Sequence, residues 1–403
     1  MKKARLGVIG AGGLAQHQHL PNIARSATAE LAVICDLREE TLTELRPLYP
    51  QARLERDYHQ VLADDAIDGV VIATREDTHV PLTLEALAAG KHVYVEKPLA
   101  ENPSDCRTVA EARRKNGKQV FVGMNRRCAP AYRYAKELLL SNGGAWNMFY
   151  RIADTYCSDW GGRFGAGNRL IHELCHIFDI LRFFADSEVE EVYCRSGRPD
   201  DESLLLAFAS GATATILSSG YAAYETPKEH FEAVMAYGTL TVEEFVEVRT
   251  FGLKNGGSIL RTFAGHSHPL HDDTHVREFA RHGYPALVDF RRKVALAKNN
   301  CSLEPEMVKR LPLINYSVDK GWQAAIDHFG EVISGGAAQY AASEIDGLRA
   351  TEITRAAQES RRTGKPVKVC IDSTAGGESA VDSKQRPLRS FHSPVQTTTI
   401  TRS

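Results

Sequence analysis

Hydrophobic and polar positions alternate between two textures over the first 125 residues. Short, almost wholly apolar runs at Leu6 to Ile9, Leu31 to Cys35, Gly69 to Ala73, His92 to Val95 and Val120 to Val122 are separated by stretches of helical period. A strand without a polar face is one that helices cover on both sides, so the pattern predicts an α/β unit with a parallel, doubly wound sheet. Glycines supply the stops: Gly90 closes the helical stretch Leu82 to Ala89, and Gly117 closes Ser104 to Asn116.

After Asn125 the runs alternate apolar with polar, at Glu191 to Cys194, Ser203 to Phe208, Ala212 to Ser218 and Phe231 to Ala236. Turn residues such as Ala209-Ser210-Gly211 join them, and one helical pattern, Leu170 to Phe184, interrupts them. This predicts an α+β domain with an open, largely antiparallel sheet carrying helices on one face. Residues 252–320 have no single period, and their histidines (His266, His268, His271, His275) are expected in a solvated loop. That stretch reads as an insertion, a candidate lid. A helix from Ser343 to Thr363 stops at Gly364, and the Ser-, Thr- and Gly-rich residues beyond 372 read as a flexible tail or an arm onto a neighbour. The expected domains are therefore 1–125, 126–372 and the tail 373–403.

The length of 403 residues agrees with two cores rather than one. No run approaches the roughly 18 apolar residues of a membrane span, and a formal charge of −2 without a basic stripe leaves no footprint for nucleic acid. Small molecules are the expected partners. Met1 to Arg5 leads straight into a strand, without a secretory pattern, so a cytoplasmic location is expected. The cysteines at 35, 106, 128, 157, 175, 194, 301 and 370 show no C-x-x-C spacing and read as reduced, mostly buried thiols.

Chemistry enters at the first strand-to-helix junction. Gly10, Gly12 and Ala15, with Gly13 and Leu14 between them, form G-x-G-x-x-A directly after a strand. The first glycine permits the turn, the second lets backbone approach a pyrophosphate, and the small third residue packs helix on strand. Asp36 ends the next strand, where an acid meets a ribose 2′-hydroxyl and repels a 2′-phosphate. The reading is a Rossmann-type NAD site with Leu37 and Arg38 at its rim. Arg38 keeps NADP open as the lesser alternative.

Several motifs follow in order: Ala73-Thr74 with His79 downstream, Glu96-Lys97-Pro98, Gly123 to Arg127, the helix Leu170 to Phe184, and Ser360 to Val367. Together they resemble the glucose-fructose oxidoreductase and inositol dehydrogenase family, Gfo/Idh/MocA, over most of residues 4–372. The resemblance implies oxidation or reduction of a secondary alcohol or ketone on a sugar, inositol or similar polyol. It implies Thr74, His79, Glu96 and Lys97 near the cofactor, and Lys97 and His176 handling the proton. Asn125, Arg127 and Asp179 match positions that line the family's substrate pocket. It also implies a homodimer or homotetramer formed through the open sheet.

Residue types support part of this independently. Removal of hydride from a carbinol carbon requires a base for the hydroxyl proton, and the pKa of histidine suits that exchange near neutrality. His172, His176 and Asp179 are spaced to share one helix face. The family usually has aspartate where this chain has His172. Either Glu173 supplies the carboxylate, or His172 contacts substrate, or ordinary polyol dehydrogenation is compromised; relatives with Glu-x-Cys-His match Glu173 to His176. For Asp179 an ion pair within the helix competes. Trp160, Arg163 and Asn168 precede the helix and are expected to shape the pocket.

His172-Glu173-Leu174-Cys175-His176 also spells H-E-x-x-H, the motif of zinc hydrolases. Its further ligands are missing from the usual places: Asp179 and Arg182 stand where a metzincin has glycine and histidine. No metal is therefore assigned, and a metal-dependent hydrolase, or a metal held by His172, His176 and a histidine of the insertion, stays the lesser alternative. Two other readings keep the fold, one a redox-neutral glycoside cleavage through transient oxidation and the other a nucleotide sensor without turnover.

Overall fold

The structure, a computed structural model, describes residues 2–159, 167–267, 273–299 and 314–371. Trp160, Arg163, His268, His271, Cys301 and the tail from 373 lie outside the described residues.

Six strands build the first sheet: β1 (Ala4–Ile9), β2 (Ala29–Cys35), β3 (Arg53–Glu55), β4 (Gly69–Ile72), β5 (His92–Val95) and β6 (Val120–Val122). Their order is β3-β2-β1-β4-β5-β6 and every pair is parallel, which is the predicted doubly wound arrangement. Strand β3 is polar and half-exposed, so no apolar run marked it. The order reverses beside β1, and a crevice forms there at the strands' carboxyl ends. Gly10 sits in that crevice at φ +91°, where a Cβ would lie 2.7 Å from the Ala73 carbonyl oxygen. Only glycine fits.

The second sheet has nine strands in the order β14-β13-β12-β11-β7-β10-β9-β8-β15. These are β7 (Asn147–Ala153), β8 (Val189–Arg198), β9 (Asp201–Phe208), β10 (Thr213–Ser219), β11 (Glu229–Met235), β12 (Gly238–Glu243), β13 (Glu247–Phe251), β14 (Leu260–Thr262) and β15 (Val367–Lys368). Only β7 with β10 is parallel. One face packs with the helices Pro130–Ser141, Leu174–Ala185 and Glu344–Thr363 into a single core. The other leaves Leu205, Leu217 and Val234 exposed.

The helix Glu344–Thr363 ties the two sheets together. Its start is fixed by a reciprocal Ser343–Asp346 cap and its end by Gly364 at φ +69°, as the pattern predicted. Gly347 packs against Leu99 and Val122 beside the first sheet, while later turns lie on β8 of the second.

Two expectations change. The predicted helix Leu170 to Phe184 is two pieces, Arg169–His172 and Leu174–Ala185, with a break at Glu173 (φ −118°, ψ −45°). The face shared by His172, His176 and Asp179 therefore does not form as a continuous stripe. Within 252–320, His266 and His275 are buried rather than solvated. The His275 ring packs against Phe279 and Phe290, and His266 lies beside Trp322 and Arg25. The same stretch supplies β14 and the helices Thr274–His282 and Tyr284–Asn299. Cys35, Cys106, Cys128, Cys175 and Cys194 are free and buried, Cys157 is half-buried and Cys370 exposed. Among the described residues no helix is long and apolar enough to cross a membrane.

Two glycines separate backbone strain from crowding. Gly117 caps its helix at φ +67° with nothing within 4 Å of a Cβ, whereas Gly321, at φ +88°, would place a Cβ 2.4 Å from the Ala129 nitrogen. Gly117→Ala is expected to cost about 1 kcal/mol in urea unfolding. Gly321→Ala should cost at least about twice that; equal losses would contradict the packing described around Ala129.

Candidate active site

The turn after β1 is held open for a ligand. Gly10 N–H donates to the Cys35 carbonyl at 2.8 Å, and Ala11 N–H donates to Asp36 Oδ2 at 2.9 Å. Arg38 donates to Asp36 Oδ1 from its backbone N–H (2.9 Å) and from Nε (3.2 Å). Burial pushes the Asp36 carboxyl up, but these hydrogen bonds outweigh it and hold the group below its usual range. No heavy atom stands within 4 Å of a Cβ built at Gly12 or Gly13, and Leu37 lies exposed at the rim. Ala15 is fully buried under the turn, as close helix-to-strand packing requires, and Leu14 precedes it half-buried. Across the crevice Thr78 donates its hydroxyl hydrogen to Thr74 Oγ1 at 2.7 Å. An open glycine floor with a carboxylate at the end of β2 fits a dinucleotide.

The chain then widens into a π-type stretch, Ala15–His19, before the helix Leu20–Ala24. That extra winding brings His19 Nε2 to 2.9 Å from Glu96 Oε1, both groups being buried. Glu96 Oε2 accepts the Lys97 N–H at 3.2 Å, and a Cβ at Gly123 would lie 2.7 Å from the same oxygen. His79 Nδ1 lies 2.8 Å from the Pro98 carbonyl. Glu96 and His79, expected at the cofactor, thus brace the Lys97 loop from within. Sequence reasoning passed over His19, although two histidines in the first buried helix were the available signal.

Lys97 reaches out of that loop and donates from Nζ to the His172 carbonyl at 2.6 Å. A lysine has three donors, so two remain for another oxygen. His176 is buried beside it, its Nδ1 meeting no hydrogen-bond partner. Burial first, then the Arg126 and Lys97 charges, hold His176 well below its ordinary pKa, so the ring is neutral near pH 7. His172 is buried too, with Nδ1 at 3.8 Å from Glu76 Oε1. Glu173 is gripped by Lys228 Nζ (2.7 Å) and Arg126 Nη2 (3.3 Å).

Behind these lies a charged core that no sequence motif marked. Arg126 forms a two-pronged pair with Glu229 at 2.7 and 2.8 Å, and the same carboxylate accepts from Tyr150 Oη (2.6 Å) and Lys320 Nζ (3.1 Å). Lys228 continues to Asp154 (2.7 Å), and Asp154 to Arg169 (2.7 Å). The available signal was Lys228-Glu229 opening an alternating strand, with the glutamate on its buried face. Asp154 also borders a small polar cleft of about 20 Å³ shared with Thr155, Tyr224, Thr226, Arg291 and Asn315.

Three residues expected at the substrate have these contacts within the protein. Asn125 Nδ2 donates to the Lys320 carbonyl at 2.8 Å. Arg127 pairs with Asp179 through two hydrogen bonds (2.8 and 2.6 Å) and with Asp346 at 2.8 Å. These carboxylates raise the Arg127 pKa against burial and hold it charged. Asp179 therefore pairs across elements with Arg127 and also, at 3.9 Å, with Arg182 of its own helix, the ion pair that was the competing expectation. In the H-E-x-x-H motif the break at Glu173 falls between the two histidines, and the glutamate is held by two cations.

Comparison with known proteins agrees with this geometry. Residues 4–124 match the Gfo/Idh/MocA model, described as an oxidoreductase family with an NAD-binding Rossmann fold. Over that stretch the chain carries the NAD-binding Rossmann domain of the Gfo/Idh/MocA oxidoreductase family. Myo-inositol 2-dehydrogenase of Thermotoga maritima is 29% identical over 55% of this chain and 70% of its own. An uncharacterised oxidoreductase of Bacillus subtilis is 25% identical over 91% of this chain and 97% of its own. The solved scyllo-inositol dehydrogenase of Lactobacillus casei with bound NAD(H) and scyllo-inositol superposes with a TM-score of 0.67 at 19% identity, covering 91% of this chain and 99% of that one. The chain is accordingly an NAD-binding oxidoreductase.

The charged core makes its stability acid-sensitive. Burial pushes the Glu229 carboxyl up, but Arg126 and Lys320 hold it far below its usual range. The unfolded chain therefore takes up a proton first as pH falls below about 5, and stability declines from there. Glu229→Gln is expected to lose about 3–5 kcal/mol at pH 7 and to show a shallower acid slope in urea titrations at pH 7, 5 and 4. An unchanged slope would contradict the pairing.

Proposed function

We propose that this chain oxidises a secondary alcohol of an inositol, sugar, glycoside or related polyol with NAD, and catalyses the reverse reduction. The observation that carries the reading is Lys97 Nζ, after β5, bonded to the His172 carbonyl and acting by its charge on the buried, neutral His176. NAD, when bound, supplies the hydride acceptor. His176 takes the hydroxyl proton; a ring that stays neutral throughout the physiological range is always in the accepting form. The two free donors of Lys97 hold the substrate oxygen and stabilise negative charge there. Arg126 adds positive potential without touching the oxygen. The inositol dehydrogenases among its relatives support that substrate class. We assign self-association as a dimer or tetramer to the open face of the second sheet, and light scattering showing only monomer would contradict it.

Absorbance at 340 nm with NAD against inositols, sugars, amino sugars and aryl glucosides reads the activity. NADH should accumulate on one of these, unaffected by a chelator. His176→Ala and Lys97→Ala should lower kcat/KM by about 10²-fold or more while NADH still binds, as followed by fluorescence. Glycoside cleavage without NADH would instead mark redox-neutral chemistry, and full activity in Lys97→Ala would overturn the assignment. Asp36→Ser removes the carboxylate that repels a 2′-phosphate, so the NAD-to-NADP affinity ratio should fall by about tenfold; an unchanged ratio would remove Asp36 from the ribose site.

A further inference from the structure

The helix that carries His176 breaks one residue after His172, and its surroundings impose the break. In a continuous helix the His176 N–H would donate to the His172 carbonyl. Here it donates to the Glu173 carbonyl at 3.3 Å, and the His172 carbonyl accepts from Lys97 Nζ at 2.6 Å. Neither glycine nor proline stands beside Glu173 to explain the break, since His172 precedes it and Leu174 and Cys175 follow it. Its carboxylate is instead pulled toward Lys228, just before β11, and toward Arg126 in the turn Asn125–Cys128. Both grips come from outside the helix.

We propose that Glu173 is the positioning residue of the site: held by Arg126 and Lys228, it breaks the helix where it does and turns the His172 carbonyl onto the Lys97 ammonium. The proposal rests on Lys97 and His176 acting as described above. The carbonyl removes one of the three directions the ammonium can take and fixes the other two donors relative to His176. Glu173 is also an anion facing His176. The other charged groups around that ring are Lys97 after β5, Arg126 in its turn and Glu229 on β11, while Asp179, one turn on, is paired with Arg127. Cys175 beside it stays protonated, burial pushing its thiol up to about 11, and His172 faces Glu76. Removing the Glu173 charge leaves His176 among cations with less compensation and lowers its proton affinity further.

The test uses the full chain. With NAD and myo-inositol as probe, or whichever panel compound gives NADH, Glu173→Gln should lower kcat about 30-fold with little change in KM or NADH affinity. The acid limb of its pH profile should move to lower pH, and Glu173→Asp, which keeps the charge, should recover part of the rate. An NMR titration of labelled histidine, assigned with His176→Gln, should show the His176 midpoint falling in Glu173→Gln without any turnover. Wild-type kcat, or a loss of kcat with an unmoved midpoint, would overturn the positioning role. No turnover in the wild type with the midpoint still shifting would overturn the proposed function and leave the Glu173 contact standing. Should Glu173→Gln not fold, Lys228→Gln loosens the same carboxylate from one side and should give smaller changes of the same sign; the absence of any change would again overturn the proposal.

Discussion

The hydrogen bond from the Lys97 ammonium to the His172 carbonyl is the contact on which the rest of the site depends. It joins the loop after β5 of the first sheet to the helical segment Arg169–His172 that precedes the helix of His176. On each side the contact is backed by fixed charge. Glu96, held by His19 and lying in the space that the absent Cβ of Gly123 leaves, sets the loop that carries Lys97. Glu173, held by Lys228 and Arg126, sets the break that exposes the carbonyl.

Two adjacent guanidinium groups distribute this constraint through the molecule. Arg126 turns into the second sheet, to Glu229 and Glu173, whereas Arg127 turns to Asp179 and to Asp346 at the start of the long bridging helix. Burying so many charges gains little net stability over apolar packing, and removing one partner is costly. The benefit is one defined geometry. His176 stays neutral, and Lys97 keeps donors in place for a substrate oxygen.

Much of the fold was legible because its signals are local. The apolar runs of β1, β4 and β5, the glycine turn from Gly10 to Ala15 with Asp36 one strand later, and the Ser343 and Gly364 caps each act within a few residues. What could not be read depends on partners far along the chain. The break at Glu173 needs Lys228 and Arg126, and Lys320 comes to Glu229 from a stretch without any period. Arg127 and Asp179 match the family's pocket positions by spacing, but Asp346 recruits them into an ion-pair cluster. His266 and His275 looked solvated from composition, and aromatic neighbours bury them.

The most direct test of the central claim is isotope transfer. Incubating the protein with NAD and a polyol substrate deuterated at the reacting carbinol carbon, then weighing the reduced cofactor by mass spectrometry, should give NADH carrying one deuterium, and His176→Ala should abolish the transfer. Oxidised or cleaved product without deuterium in the cofactor would contradict the account.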